Sequence, residues 1–152
     1  MDNPAEDVVP HWERVIEDMH ATAEQHREEG WETVELHPGD VTVLSRDESD
    51  RFGLDAVVPG EEFDPLRTAV EERTFDAYEV FRGETEGVVF GLTVVRSNDG
   101  ELAVFIPFYY DRREDIEMLQ NHDGQLYTHV RQLKNDHIVT FSHVNPEPFF
   151  PD

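Results

Sequence analysis

The sequence contains no cysteine and a single lysine, Lys134. The lack of cysteine excludes disulfide bonds, thiolate metal ligands and a cysteine nucleophile. No apolar stretch approaches the roughly 20 residues that a membrane-spanning helix needs, so we expect no membrane contact. The N-terminus, Met1–Pro4, has neither the basic region nor the apolar core of a signal peptide, and this favours a cytoplasmic location.

Positive charge is scarce throughout the chain. The 12 Lys and Arg residues face 35 Asp and Glu residues, which gives a formal net charge of −23. In dilute buffer so many like charges repel one another and weaken the folded state. At about 1 M salt the Debye length is about 3 Å, and most of this repulsion is screened. The composition therefore favours a protein adapted to molar salt over an acidic mesophilic protein. It also argues against a nucleic-acid partner, because no basic stripe is present.

The residues that are present suffice for a folded core. The chain has 152 residues, the size of one ordinary domain. Hydrophobic residues make up 38% of it, and they include 10 Phe, 4 Tyr and 2 Trp. Disordered chains of high charge usually lack such aromatic content. Because no linker, repeat or low-complexity segment interrupts the pattern, we predict one domain over residues 1–152.

The N-terminal part of the chain has the periodicity of a helix. Apolar residues recur every three or four positions between Trp12 and His26, which predicts an amphipathic helix of about 20 residues. Asp7 is a suitable N-cap, and Gly30 stands where a left-handed helix end is expected.

Two shorter helices are indicated further along the chain. Asp64 and Pro65 have the residue types of an N-cap and a first helical residue, and this second helix would end near Arg73. Asp111 and Glu114 have the spacing of a capping box and predict the start of a short third helix.

The remaining apolar residues have the period of two that is typical of strands. The predicted strands are Thr33–Leu36, Val41–Leu44, Phe52–Val58, Tyr78–Arg82, Val88–Arg96, Leu102–Tyr110, Leu126–Leu133 and Ile138–Val144. Pro38-Gly39 predicts a hairpin between the first two strands, and Asp99-Gly100 predicts another between Val88–Arg96 and Leu102–Tyr110. The fold class is therefore α+β, with a mostly antiparallel β-meander sheet covered by the long N-terminal helix and one or two short helices.

The predicted strand Leu102–Tyr110 is apolar on both faces. Such a strand is central in its sheet and is covered twice. The long N-terminal helix can cover one face. The other face must meet the second helix, the N-terminal hairpin or a partner chain.

A resemblance to a known family rests on segments spread along nearly the whole length: Gly30–Val41, Phe52–Asp55, Phe75–Val80, Phe108–Asp111, Thr128–Arg131, Thr140–His143 and Pro146–Phe150. In these segments the chain resembles an uncharacterised family of small acidic proteins from halophilic archaea. The resemblance implies a halophilic archaeal source. Since the function of that family is unknown, the resemblance implies no activity, cofactor or catalytic residue.

The chain has 8 histidines, but their pattern does not predict a metal site. If Asn135 and Asp136 form a two-residue turn, His129 faces Ser142 on the neighbouring strand. His129 and His143 then point to opposite faces of the sheet. No HExxH spacing occurs in the sequence, so we expect no metal ligands.

Arg112 and Arg113 are the only adjacent pair of cations, and they fall in the first turn of the predicted third helix. The helix dipole favours acidic residues there. Together with the free N–H groups, the two guanidinium groups could hold a phosphate or a carboxylate. The alternative is that both arginines pair with surrounding carboxylates.

Two classes of function stay open. The first is a non-enzymatic binding or protein-interaction module, with a homodimer as one form. It rests on the doubly apolar strand and on the aromatic segment Pro146–Phe150, which docks either on its own chain or on a neighbour. The alternative is a small-molecule-binding enzyme or sensor with a polar pocket between sheet and helices. The candidate ligand-binding residues are Tyr109, Tyr110, Arg112, Arg113, His129 and Arg131. No cofactor and no catalytic residue is indicated, and the partner is left undetermined.

Overall fold

The computed structural model describes residues 4–45, 52–71, 73–99, 101–120, 124–133 and 137–150, with side chains from residue 10 onward. The helices are α1 (Pro4–Glu28), α2 (Gly60–Val70) and α3 (Arg112–Gln120). The strands are β1 (Glu32–Glu35), β2 (Asp40–Leu44), β3 (Gly53–Val57), β4 (Ala77–Thr85), β5 (Val88–Ser97), β6 (Leu102–Asp111), β7 (Gln125–Arg131) and β8 (Ile138–Val144). A 3-10 turn, Glu147–Phe149, follows β8.

The strands form two four-stranded sheets that pack face to face, and α1 packs on the other face of the first of them, sheet A. Sheet A has the order β1-β6-β5-β4, and sheet B has the order β2-β3-β7-β8. The α+β class is confirmed, and β4, β5 and β6 form an antiparallel meander. The sheets are not wholly antiparallel, however, because β1 pairs with β6 and β3 pairs with β7 in parallel.

Strand β6 is covered on both faces, as its sequence indicates. Alternation along the strand sends Phe105 toward α1, where it packs with Met19. It sends Ile106 toward sheet B, where it packs with Phe141. The second cover is thus sheet B together with Phe63 and Leu66 of the predicted second helix, and both covers belong to the same chain.

The helix starts differ from the predicted ones. Helix α1 begins at Pro4, so Asp7 lies inside it rather than at its N-cap, and Pro10 is also internal. Proline removes only one backbone bond, so a helix can continue through it at a local cost. Helix α2 begins at Gly60 and includes Pro65, because the earlier turn buries Phe63 completely.

One of the two hydrogen bonds in the predicted capping box of α3 is confirmed, and the other comes from a different residue. The Asp111 carboxylate accepts the N–H groups of Arg113 (2.8 Å) and Glu114 (3.1 Å). The reciprocal bond to the Asp111 N–H comes from Asp115 (3.0 Å) and not from Glu114.

The predicted hairpin at Pro38-Gly39 is wrong, since β1 and β2 belong to different sheets. The N–H of Leu36 still donates to Phe105 of sheet A (3.1 Å), whereas the N–H of Gly39 donates to Val57 of sheet B (2.9 Å). The chain therefore crosses between the sheets at Pro38. The Asp99-Gly100 turn includes a residue outside the described ones, but β5 and β6 do pair antiparallel from Ser97 and Leu102 onward.

The β7–β8 register differs by two residues from the prediction. His129 faces Thr140 and not Ser142. Asn135 and Asp136, the predicted turn, lie outside the described residues. A shift of two residues keeps each side chain on its face, so His129 and His143 do lie on opposite faces.

The aromatic segment Pro146–Phe150 docks on its own chain. Phe149 is fully buried and Phe150 is 8% exposed. The Phe149 ring packs against the rings of Tyr78 and Phe108, at centroid distances of 5.9 Å and 5.5 Å. Within the part of the chain that the structure describes, no helix is long and apolar enough to span a membrane.

Candidate functional site

Tyr109 and Tyr110 point to opposite faces of sheet A, because they are neighbours on β6. Tyr109 packs edge-on against Trp12 of α1, with ring centroids 5.3 Å apart. Tyr110 is buried between the sheets, and its hydroxyl donates to the carbonyl of Phe149 (2.7 Å). Burial raises the pKa of both phenols, and the Asp40 carboxylate adds to the effect at Tyr109.

Arg112 is already paired where it stands. Its Nη1 lies 3.0 Å and 3.1 Å from the two carboxylate oxygens of Glu84 on β4. Arg113 is exposed beside it, in a recess that also includes Glu84 and Glu117. Since Asp111 accepts the first free N–H groups of α3, acidic groups already occupy the positions that an anion would need.

His129 and Arg131 lie together on the outer face of sheet B. The Nε2 of His129 lies 3.0 Å from the carbonyl of Phe52, and its Nδ1 lies 2.9 Å from the hydroxyl of Thr140. Both ring nitrogens therefore have partners. Arg131 donates to the buried carboxylate of Asp55 (Nη2–Oδ2 3.0 Å), which a buried Asp requires. The arrangement holds β3 against β7.

The six predicted residues thus lie in four separate places in the fold and do not line one pocket. Arg112 and Arg113 share one recess, and His129 and Arg131 share one face. Tyr109 and Tyr110 are separated by sheet A itself. In the described ranges no group of three or more His, Asp or Glu residues converges in a way that could hold a metal ion.

A groove that the sequence did not reveal lies between α1 and the edge of sheet A. We call it the α1–β4 groove. Its volume is about 520 Å³, within the range of about 300–1,000 Å³ that is typical of small-molecule sites. The residues of its α1 wall are His11, Arg14, Val15, Asp18, Ala21 and Thr22. The floor comes from β4 and β5.

The floor of the groove is apolar and partly open. Phe90 and Leu92 of β5 are buried and point toward α1. The β4–β5 register places Gly83 opposite Phe90 and Phe81 opposite Leu92, so these β4 residues share the same face. Phe81 is 50% exposed. At Gly83 a Cβ would meet no atom within 4 Å, so the glycine leaves free space.

The wall of the groove carries charge. Arg14 and Asp18 line it from α1 and are exposed to solvent. Among the described residues Arg14 has no salt-bridge partner. The His11 ring lies 5.7 Å from the Phe90 ring. Arg82 and Glu84 also border the groove, but they are bonded elsewhere, to Pro148 and Arg112.

One signal in the sequence could have indicated this groove. The α1-facing positions of β4 are Ala77, Glu79, Phe81, Gly83 and Thr85, so Phe81 is the one large apolar residue on an edge of small or polar residues. Its meaning depends on where α1 crosses the sheet, and that depends on the order of the strands.

Comparison with known proteins gives one family and no individual relative. No curated protein and no solved structure matches the chain. The model of the family of unknown function DUF7529 matches residues 1–151. The chain therefore belongs to the family of unknown function DUF7529.

Proposed function

We propose that this protein is a non-enzymatic binding module whose α1–β4 groove takes a small amphipathic anion. The apolar body of the ligand would lie over Phe81 and Leu92, and its carboxylate would lie beside Arg14. The observation that carries the proposal is the half-exposed Phe81 beside the open floor at Gly83.

Apolar contact provides the main attraction. Phe81 is 50% exposed next to Leu92, which is 4% exposed. A ligand above them would remove apolar surface from water, at about 25 cal/mol per Å². Burial of one further methylene group contributes about 0.8 kcal/mol, or about fourfold in affinity.

Charge provides the orientation. In a chain with a net charge of −23, most surfaces repel an anion. Arg14 is a cation without a salt-bridge partner among the described residues. A guanidinium group can hold a carboxylate with two parallel hydrogen bonds, so the charged end of the ligand would face α1.

The hydrogen bonds of the wall favour binding over catalysis. The Thr22 hydroxyl, a potential nucleophile, donates to the backbone carbonyl of Asp18 (2.8 Å). Activation of a hydroxyl requires a base within hydrogen-bond distance, and a helix carbonyl does not remove a proton.

The two features that favoured self-association in the sequence both have partners within the chain. Sheet B covers β6, and the Pro146–Phe150 segment docks in cis. The proposal therefore rests on the groove and not on a subunit interface.

We further propose that the protein works in the molar-salt cytoplasm of a halophilic archaeon. The net charge of −23 and the single lysine support this. Molar salt screens the attraction to Arg14, and excluded salts strengthen apolar burial. Affinity would therefore depend on the length of the apolar body more than on its charge.

A series of straight-chain carboxylates from hexanoate to decanoate tests the proposal. Binding is measured by isothermal titration in about 1 M KCl, where repulsion is screened. We expect the dissociation constant to fall by about fourfold or less per added methylene. The matched primary alcohols should bind more weakly, because they lack the charge that Arg14 recognises.

Substitutions in the α1–β4 groove test whether the ligand binds there. Gly83→Leu should fill the floor and abolish binding, and Phe81→Ser should weaken it. Leu133→Ser is the matched control for Phe81, because Leu133 is 79% exposed on another part of the surface. Arg14→Gln should remove the preference for carboxylate over alcohol, with Arg67→Gln of α2 as its control. The proposal fails if no member of the series binds, or if Gly83→Leu binds as the unaltered protein does.

A further inference from the structure

Two histidine rings that are 17 positions apart in the sequence meet on the other side of α1. His20 lies on α1, and His37 lies in the connection between β1 and β2. Their Nε2 atoms are 2.9 Å apart, and the ring centroids are 5.2 Å apart. Only one hydrogen fits between the two nitrogens, so one of them must present a lone pair to the other. His20 is exposed and the His37 side chain is 42% exposed, so the space between them is open to solvent.

Glu62 of α2 fixes the orientation of His37. Its Oε1 accepts the backbone N–H of His37 (2.7 Å), and its Oε2 lies 2.8 Å from Nδ1 of the same residue. A carboxylate can only accept, so Nδ1 carries a hydrogen, and in the neutral ring Nε2 then carries the lone pair that points at His20. A carboxylate behind the far nitrogen of a histidine is the usual outer partner of a metal ligand.

We propose that His20 and His37 bind a first-row transition-metal ion of the Zn²⁺ or Cu²⁺ type through their Nε2 atoms, with Glu62 as the outer carboxylate. His37 already has the tautomer that a ligand needs. The His20 ring would carry its hydrogen on Nδ1 when the ion is bound, so that its Nε2 lone pair faces the metal.

The geometry requires a small adjustment. Two nitrogens on a tetrahedral ion, each about 2.0–2.1 Å from it, are about 3.3 Å apart. The observed 2.9 Å must widen by a few tenths of an ångström, which a small rotation of the exposed His20 side chain can supply. No third protein ligand converges there among the described residues, so water completes the coordination.

The donor set determines which ions bind. Two imidazole nitrogens suit Cu²⁺, Ni²⁺ and Zn²⁺, with Cu²⁺ bound most tightly, whereas Mg²⁺ prefers oxygen. The ion would join three elements, because His20 belongs to α1, His37 to the β1–β2 connection, and Glu62 to α2. The site is separate from the α1–β4 groove.

Titration of the full chain with Zn²⁺ and Cu²⁺, after removal of metal by a chelator, tests the inference. Isothermal titration in about 1 M potassium nitrate keeps the carboxylates screened without chloride as a competing ligand. We expect one ion per chain, with Cu²⁺ bound more tightly than Zn²⁺, and no comparable binding of Mg²⁺. Paramagnetic Cu²⁺ should broaden the ring signals of His20 and His37 before those of the other histidines.

Single substitutions distinguish metal binding at His20 and His37 from metal binding at surface carboxylates. His20→Gln should weaken Zn²⁺ binding by about tenfold or more, and His11→Gln on the same helix is the control that should leave it unchanged. Glu62→Gln places an amide beside Nδ1 of His37 and favours the wrong tautomer, so it should also weaken binding by about 10–100-fold and move the ¹⁵N shift of Nε2. Equal Zn²⁺ affinity in the unaltered protein and His20→Gln would overturn the inference, and so would early Cu²⁺ broadening at carboxylates alone.

Discussion

At the scale of single residues, His143 is the least expected group in the core. It is fully buried on the inner face of β8. Its Nε2 lies 2.8 Å from the Thr128 hydroxyl, and none of the residues that the structure describes forms a hydrogen bond with its Nδ1. The rings of Tyr78 and Phe149 each lie 4.8 Å from the imidazole ring. A buried nitrogen without a partner destabilises the fold, and a second proton on this ring would destabilise it further.

This burial predicts how stability depends on pH. It lowers the pKa of His143 from 6.5 to about 4. The unfolded chain therefore takes up the proton first as the pH falls, so the contribution of His143 is fully present above pH 6.5 and is lost progressively toward pH 4. The loss should amount to about 3 kcal/mol in the free energy of unfolding. Urea unfolding at fixed molar KCl, measured from pH 7.5 to pH 4, follows it.

His143→Leu is the matched variant, since it leaves every carboxylate in place. Subtraction of its pH curve from that of the unaltered protein isolates the imidazole. Parallel curves for the two proteins would contradict the prediction, whatever the absolute stability of the variant.

The sequence predicted which face of a strand a residue occupies, but it could not predict the partner of a charged residue. The period of two correctly separates His129 from His143, and it does so even though the predicted register is two residues off. The same alternation separates Tyr109 from Tyr110, which the predicted pocket had combined. Arg112 has its partner 28 positions away, at Glu84, and no local pattern selects one carboxylate among 35.

At the scale of elements, the Pro146–Phe150 segment is a structural part of the sandwich. Phe149 packs against Phe108 at 5.5 Å between centroids, and Tyr110 donates to its carbonyl. Arg82 donates to the carbonyl of Pro148 (3.0 Å). The two prolines restrict the chain before docking and lower the entropy lost on ordering.

Phe149→Ala should therefore destabilise the protein strongly. A fully buried phenylalanine replaced by alanine lowers the free energy of unfolding by about 3–5 kcal/mol. Glu147→Ala, in the same turn but exposed, should change it by about 0.5 kcal/mol or less. Urea titrations at fixed molar KCl measure both, because guanidinium chloride would itself alter the screening. Similar midpoints for the two variants would show that the segment contributes little.

Elements joined by local turns were predictable, and elements joined across the fold were not. The segment Ile138–Val144 is a strand with the predicted bounds. The β4–β5 turn at Glu86 and Gly87 has positive φ at both residues (53° and 83°), but Glu-Gly is a weak turn signal. Pro38-Gly39 is a strong turn signal, yet the chain uses it to pass from sheet A, where Leu36 donates to Phe105, to sheet B, where Gly39 donates to Val57.

At the scale of the whole molecule, one observation in the sequence indicated that the central strand lies between two other layers of the fold. A strand apolar on both faces requires two covers, and β6 has α1 on one side and sheet B on the other. What the sequence did not provide was the split into two sheets. The parallel pairs β1–β6 and β3–β7 join segments that are far apart in the chain, and no local pattern specifies such pairs.

The net charge predicts a stability that depends on salt. With a charge of −23 on 152 residues, repulsion among carboxylates opposes the compact state at low ionic strength. The Debye length falls from about 10 Å at 0.1 M to about 3 Å at 1 M. We therefore expect the melting temperature, followed by far-UV circular dichroism, to rise steeply across that range of KCl and to level off beyond it.

A charge variant separates screening from the general effect of salt on apolar burial. Glu13, Glu17, Glu24 and Glu28 are exposed on α1, and their combined replacement by Gln removes four negative charges without changing the core. At about 0.1 M KCl, where the Debye length is still about 10 Å, the variant should melt at a higher temperature than the unaltered protein. The two melting curves should converge in molar KCl, because screening leaves little repulsion to remove. If both proteins gained equally from salt, apolar burial alone would explain the effect, and if neither responded, the carboxylates would not be the source of instability.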